Sequence, residues 1–287
     1  AARRINMYSM TGSILLYNNK AETVQKTIRC FLDTELPIKL YIVDNSADDK
    51  KYIIPKDERI EYIFNGKNVG FGAGHNIAIR KSLNQSSYHL ILNPDIFFKD
   101  GVLEKLHAFM EANNEVGLVM PRICHFDGSN QYLCKLFPTP LDLILRRLNL
   151  SVLKVLLKGK LDRYELRFTG YDKIMDVPYL SGCFMFIRNE VLKKTGIFDE
   201  RFFMYLEDVD LSRRIHRYYR TVYYPEAVVY HEHEKGSYKN YTLLKHHIVS
   251  AIQYFNKWGW FFDDERSNVN KKIISQLSIE KLINKNL

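Results

Sequence analysis

The chain has 287 residues, 46% hydrophobic and 26% charged, enough for one large α/β domain with a helical appendix, and a composition that excludes wholesale disorder. Lys plus Arg number 42 against 33 acids, and the net charge of +9 asks for an anionic partner: nucleic acid, lipid headgroups or a phosphorylated substrate. No apolar run approaches the roughly 18 residues of a membrane-spanning helix, and the N-terminus lacks the long apolar core of a secretory signal. Cys30, Cys124, Cys134 and Cys183 are widely spaced, without a Cys-x-x-Cys pair or a disulfide framework, which fits a reducing cytoplasm.

In chain order, Ser13 to Tyr17 reads as a buried strand ending in Asn18-Asn19, and a helix follows from about Ala21 to Leu32 with Val24, Ile28 and Phe31 on one face. Strands at Lys39 to Val43 and Ile60 to Phe64 run into Asp44-Asn45-Ser46 and Asn65-Gly66. After the glycine-rich stretch Asn68 to Asn76 comes a helix from about Ile77, then a strand from His89 to Leu92 ending in Asn93-Pro94-Asp95. Strand, polar turn and helix alternate, so a mostly parallel α/β sheet is expected, with ligands beyond the carboxyl ends of its strands. A basic amphipathic helix is expected from Leu141 to Leu157, with apolar residues at 141, 144, 145, 148, 152, 155 and 156. Strand-like segments follow at Val177 to Ile187 and Thr221 to Tyr224, a helix near Glu207, and an aromatic-rich helical region from Tyr241 to Phe262. The last 20 or so residues read as a polar tail. The basic residues sit on an amphipathic helix and a tail, not on an aromatic-interleaved sheet face, which argues against nucleic acid.

Several positions carry chemistry. Asp95, just past a strand, suits a divalent cation bridging two phosphates, or simply a turn. Asp44 suits a hydrogen bond from a base or ribose, or a helix cap. Gly70, Gly72 and Gly74 let a backbone approach a ligand or a neighbouring element closely, and their spacing is neither a dinucleotide fingerprint nor a P-loop. Glu207, Asp208 and Asp210 together are either favourable charges at a helix start or a source of a general base. His231 and His233 lack the spacing of a zinc hydrolase, while one of them beside Asp95 or a phosphate is chemically reasonable.

Taken in order, Y-N at 17–18, V-D-N-S at 43–46, N-V-G-F-G-A-G-H-N at 68–76, L-N-P-D at 92–95, L-S-G-C-F-M at 180–185, F-M-Y-L-E-D-V-D-L at 203–211 and H-E-H-E-K-G-S at 231–237 resemble the inverting glycosyltransferases of family 2, with the GT-A fold. Rhamnosyltransferase-like members of O-antigen and capsule synthesis are the nearer match. The resemblance implies a transferase domain over 10–237, with a helical insertion at about 138–168, and a C-terminal extension over 238–287. It implies that Asp208 is the catalytic base. It also implies that Tyr17, Asn18, Asp44, Asn68, Gly70, Gly72, Asn76, Asn93 and Asp95 bind the donor, and that Ser181, Gly182 and Glu207 flank the acceptor. Asp95 with His231, or His233 as its competitor, would hold Mg²⁺ or Mn²⁺, although Asn93 stands where the family's metal motif has its first acid. The donor implied first is dTDP-β-L-rhamnose, ahead of a UDP- or GDP-sugar. The acceptor is an undecaprenyl-diphosphate-linked or oligosaccharide chain, reached from the inner face of a bacterial plasma membrane. A peripheral membrane site is therefore expected, and the oligomeric state stays open.

Overall fold

Apolar strands that end in Asn, Asp, Ser or Gly pair in parallel at the centre of the molecule. In the computed structural model, which describes residues 7–147, 158–232 and 241–283, β1 (Tyr8–Leu16), β2 (Ile38–Asp44), β3 (Ile60–Phe64) and β4 (Ser86–Leu92) run parallel in the order β3-β2-β1-β4. β1 begins at Tyr8 rather than Ser13, because Tyr8 and Met10 already pair with Ser86 and Ile38. The sheet continues through β10 (Phe184–Arg188), β6 (Val116–Cys124), β11 (Arg220–His231) and β5 (Ile96–Phe98). β10 is antiparallel to both neighbours, and β11 is parallel to β6 and antiparallel to β5. β8 (Met175–Asp176) adds to β11, while β7 (Cys134–Lys135) and β9 (Tyr179–Leu180) form a separate ribbon.

The expected strand from Val177 to Ile187 is divided into β9 and β10. The Gly182 amide donates to Asp208 Oδ2 at 2.9 Å, and the Cys183 carbonyl accepts from the Asn93 amide at 2.9 Å. These contacts pull Ser181–Cys183 out of any ladder.

Helix α1 (Ala21–Leu32) buries Val24, Ile28 and Phe31 as their spacing requires. Helix α2 (Phe71–Ser82) starts before the expected Ile77, with Gly70 as its N-cap and Gly72 and Gly74 inside it. A Cβ on Gly72 would stand 2.9 Å from Phe198 Cβ, and one on Gly74 would stand 2.4 Å from Leu15 Cδ1. The glycines therefore seat the helix on β1 and on the 198 loop, at a propensity cost of about 1 kcal/mol each. Helix α3 (Val102–Ala112) covers the far half of the sheet. Helix α4 (Pro140–Arg147) buries Leu143 and Leu145 but exposes Leu141 and Ile144, so the expected apolar face is split. The rest of that expected helix, 148–157, lies outside the described residues, and α5 (Lys158–Tyr164) follows.

Helix α6 (Asn189–Thr195) leads to α7 (Glu207–His216), then to α8 (Tyr241–Trp258) and α9 (Asp264–Ile283). The expected polar tail is thus mostly helix, and it buries Arg266, Ile273 and Leu277. Tyr254 and Phe255 of α8 pack with Phe137, Tyr179, Phe202, Leu206 and Val209, so these helices share a core with the sheet domain. Arg213 of α7, 1% exposed, reaches Asp263 at 2.6 Å and Glu265 at 2.7 Å and lies 4.2 Å from the Trp258 ring centroid.

Candidate active site

The carboxyl ends of β1, β2 and β4 meet the start of α2 in a polar floor. Asp44 is 0% exposed: Oδ1 accepts from the Ser46 amide at 2.9 Å, and Oδ2 from the Lys50 amide at 3.1 Å and the Tyr62 hydroxyl at 2.7 Å. A nucleotide reaches this carboxylate only if the 46–50 loop opens. Beside it, the Asn18 amide donates to Ser46 Oγ at 3.0 Å, and Tyr17 is exposed. Asn45 links the floor, donating to the Gly70 carbonyl at 3.2 Å and accepting from Asn65 at 3.1 Å. Asn68 Oδ1 accepts the Gly70 amide at 3.0 Å. Gly70 has φ +94°, and a Cβ there would meet the Phe203 carbonyl at 2.3 Å, so only glycine fits this approach. Asn76 lies buried on α2, its amide committed to the Phe198 backbone and to Glu200 Oε1 at 2.9 Å. Like Gly72, it shapes the site through the 198–200 loop.

Below the floor runs a buried chain of polar contacts. His75 Nδ1 lies 2.7 Å from Ser13 Oγ, which lies 2.9 Å from His89 Nε2, while His89 Nδ1 lies 2.8 Å from Thr11 Oγ1. Burial pushes both histidines down to about 3, so both are neutral.

Asn93, Pro94 and Asp95 form a turn fixed from three sides. The Pro94 carbonyl accepts from Thr27 Oγ1 at 2.7 Å, the Asn93 amide donates to Cys183, and the Asp95 carbonyl accepts from the Glu232 amide at 3.0 Å. Pairing of β11 with β5 sets His231 opposite Ile96, and His231 Nε2 lies 3.3 Å from Asp95 Oδ1. Gln131 fixes the imidazole. Its Nε2 donates to the His231 carbonyl at 2.8 Å, so its Oε1, 2.9 Å from His231 Nδ1, accepts the Nδ1 proton. His231 Nε2 then faces Asp95 Oδ1, a buried carboxylate oxygen. A nitrogen and an oxygen at this spacing are of the ligand types that could share a divalent cation. Among the described residues no group of three or more His, Cys, Asp or Glu encloses a metal, so the remaining ligands of such a cation would come from diphosphate oxygens and water. His233 lies outside the described residues.

The three acids at the start of α7 differ in state. Asp210 is 0% exposed and paired with Arg214 at 2.9 Å, Lys257 at 2.7 Å and the Trp258 indole at 2.8 Å. Glu207 is buried against α2, and burial, with the Asp208 charge added, holds its carboxyl well above the usual range. Asp208 alone is partly open. Its Oδ2 accepts the Gly182 amide and the Tyr179 hydroxyl at 3.1 Å, and its Oδ1 accepts the Val209 amide at 2.8 Å. Two consecutive non-glycine residues with positive φ, Tyr205 at 72° and Leu206 at 66°, turn the chain into this helix.

The turn Ser181–Cys183 joins the two ends of the site. Gly182 holds Asp208, and Cys183 holds the Asn93–Asp95 turn. Burial pushes the Cys183 thiol up to about 12, with the Asp95 and Asp208 charges adding to the shift. A carboxylate able to take a proton and an oxygen–nitrogen pair able to hold a cation thus flank one short turn.

Residues 14–196 match glycosyl transferase family 2. The chain belongs to this family. It is 27% identical over 209 residues to the low-salt glycan biosynthesis hexosyltransferase Agl10 of Haloferax volcanii, covering 71% of this chain and 61% of that protein. It is 26% identical over 254 residues to the N-acetylglucosaminyl-diphospho-decaprenol L-rhamnosyltransferase of Mycobacterium tuberculosis, covering 80% of this chain and 79% of that protein. Its fold is similar to that of GalNAc-T7 solved with UDP, GalNAc and Mn²⁺, with a TM-score of 0.59 at 13% identity over 88% of this chain and 50% of that one. The chain thus spans 61% of the Haloferax protein and half of GalNAc-T7. The architecture is that of the GT-A glycosyltransferases.

Asp208 and His231 lie beyond the family match, which ends at residue 196. Gln131, Tyr179 and Asn45 are functional neighbours that sequence reasoning did not single out. Tyr179 adjoins the Leu180–Met185 motif and was within its reach. Gln131 stands 100 positions from His231, with no local signal.

Proposed function

We propose that this family 2 member transfers a sugar with inversion from a nucleoside diphosphate to a hydroxyl of a lipid-linked or polysaccharide acceptor in cell-surface glycan synthesis, of the O-antigen or capsule kind. The observation that carries the reading is the turn Ser181–Cys183, with Asp208 on one side and Asp95 with His231 on the other. The Mycobacterium tuberculosis relative, named for a decaprenol-linked acceptor and L-rhamnose, supports dTDP-β-L-rhamnose as the first choice of donor.

In the reaction, the acceptor oxygen forms a bond to the anomeric carbon while the bond from that carbon to the diphosphate oxygen breaks. Displacement from the opposite side inverts the anomeric centre. Asp208 takes the acceptor proton; at the start of α7, the Gly182 amide and Tyr179 hydroxyl aim its Oδ2. Glu207, buried beside Asp208 with its carboxyl pushed above the usual range, is disfavoured as a second negative charge there. Asp95 and His231 would hold a divalent cation, which when bound supplies positive charge to the leaving group. Gly70, Asn68 and Asn45 fix the floor beneath the donor.

Thermal stabilisation by dTDP, UDP and GDP, each with and without Mn²⁺, tests the donor half. A ligand at about 100 times its dissociation constant adds about 2.7 kcal/mol. A metal-dependent, dTDP-selective shift is expected; preference for UDP or GDP changes the sugar, and no shift with any of them favours a non-catalytic binding module. Asp208→Asn is expected to lose about 10²–10⁴-fold in transfer while keeping the nucleotide shift. Full activity in that variant overturns the assignment of the base.

A further inference from the structure

Among the described residues no helix is long and apolar enough to cross a membrane, yet α8 and the hairpin after it expose several large apolar side chains. On α8, Ile248, Val249 and Ile252 point outward, and Asn256 Oδ1 accepts the Trp260 indole N–H at 2.9 Å. In the hairpin, Phe261 is 79% exposed and Phe262 97% exposed. Single exposed apolar residues are ordinary, but a group that includes two bare phenylalanines is a surface awaiting a partner.

The hairpin between α8 and α9 is built rather than loose. Arg266, 4% exposed, donates to the carbonyls of Gly259 at 3.3 Å, Trp260 at 3.1 Å and Phe261 at 3.4 Å, and to Pro138 at 3.4 Å. A hairpin whose carbonyls are satisfied from within can enter an apolar phase without stripping them of water. Phe261 also borders a cavity of about 610 Å³ that Lys160, Arg163 and Lys271 line. The two carboxylates there are already engaged, Asp142 with Thr139 and Asp263 with Arg213. The exposed cations beside Phe261 therefore keep their charge available to an anionic partner.

We propose that the outer face of α8 and the Trp260–Phe262 hairpin dock on an anionic lipid leaflet, the phenylalanines entering the headgroup boundary and Lys160, Arg163 and Lys271 meeting the phosphates. The proposal deepens the reading of a lipid-linked acceptor and rests on it for the purpose of docking. The inner face of α8 secures the loop that leads to Asp208: His246 stacks on Phe203 at 4.5 Å, His247 lies 5.2 Å from Tyr205, and Ser250 Oγ donates to the Met204 carbonyl at 2.8 Å. The same helix thus faces the membrane on one side and the acceptor end of the site on the other.

Flotation of the full chain at low salt with phosphatidylcholine vesicles, with and without phosphatidylglycerol, tests the surface. Binding only to the anionic vesicles is expected. Phe261→Ser/Phe262→Ser should lower the partition at least about tenfold, and Lys160→Gln/Arg163→Gln/Lys271→Gln by about fivefold per charge removed. All these side chains are exposed, and an unchanged melting temperature and nucleotide shift verify that the fold and donor site are intact. Absence of wild-type binding, or equal binding by the phenylalanine variant, overturns the proposal. So does a dimer in sedimentation that the phenylalanine variant converts to monomer, because a second copy would then cover these side chains. Loss of the nucleotide shift in the wild type, with flotation retained, would instead strike the transferase reading and leave the docking surface standing.

Discussion

The two halves of the molecule are held together by different forces. Around β1, β4 and α2, cohesion is close contact: glycines that admit Leu15 and Phe198, and a chain of neutral polar groups through His75, Ser13, His89 and Thr11. Around α7, α8 and α9 it is charge: Arg213 with Asp263 and Glu265, and Asp210 with Arg214 and Lys257. The half around β1, β4 and α2 is sensitive to volume and the half around α7, α8 and α9 to unbalanced charge. Asp208 sits at their junction, where helix α7 meets the Gly182 turn.

The contrast can be broken most sharply at Arg213. Arg213→Ala leaves Asp263 buried without its main partner and should cost about 3–5 kcal/mol in urea unfolding. Gly74→Ala, which changes no charge, drives a methyl into Leu15 and should cost about 1–3 kcal/mol, with little dependence on salt. Acid gives the smallest effect per group. His75 and His89 have folded pKa values depressed to about 3, so only the unfolded chain takes up protons as pH falls below about 6.5. Stability is then lost, by about 1 kcal/mol per histidine between pH 6.5 and 5.5. Burial pushes Asp263 and Glu265 up, but their arginine partners outweigh it and leave both below the usual range. The clasp they form therefore persists until the pH falls below the ordinary carboxylate range. Hydrogen exchange at pH 5.5 should show β1 and β4 opening before α7 and α9, and His89→Gln should flatten the pH dependence.

Much of the half around β1, β4 and α2 was legible in the sequence, because strand and helix periods there are set by local burial. α1 and β3 fall where their patterns put them. The misread elements share a cause: a long-range contact overrides the local signal. The start of α2 was hidden by glycines that only the distant Phe198 and Phe203 explain. The break in the Val177–Ile187 run depends on Asp208, and α9 takes its order from Arg213 and a few buried apolar positions instead of a clear apolar face. Within the site, motifs indicated Asp95, Asp208 and His231, and the fold sets Asp95 beside His231. The enclosure of Asp44 and the grip of Gln131 on His231 required the tertiary structure.

β11 is the last strand of the main sheet in sequence, but it lies inside the sheet, between β6 and β5. On a ribosome, the slot between those strands stays empty while the chain grows from Cys124, the end of β6, to His231, roughly 5 to 21 s at about 5–20 residues per second. During that interval two strand edges are open to wrong partners. Throughout that interval the nascent chain has Asp95 but not His231 in its strand, and the helix that carries Asp208 is complete only at His216. The meeting of Asp95 with His231 is therefore timed by the closing of one strand.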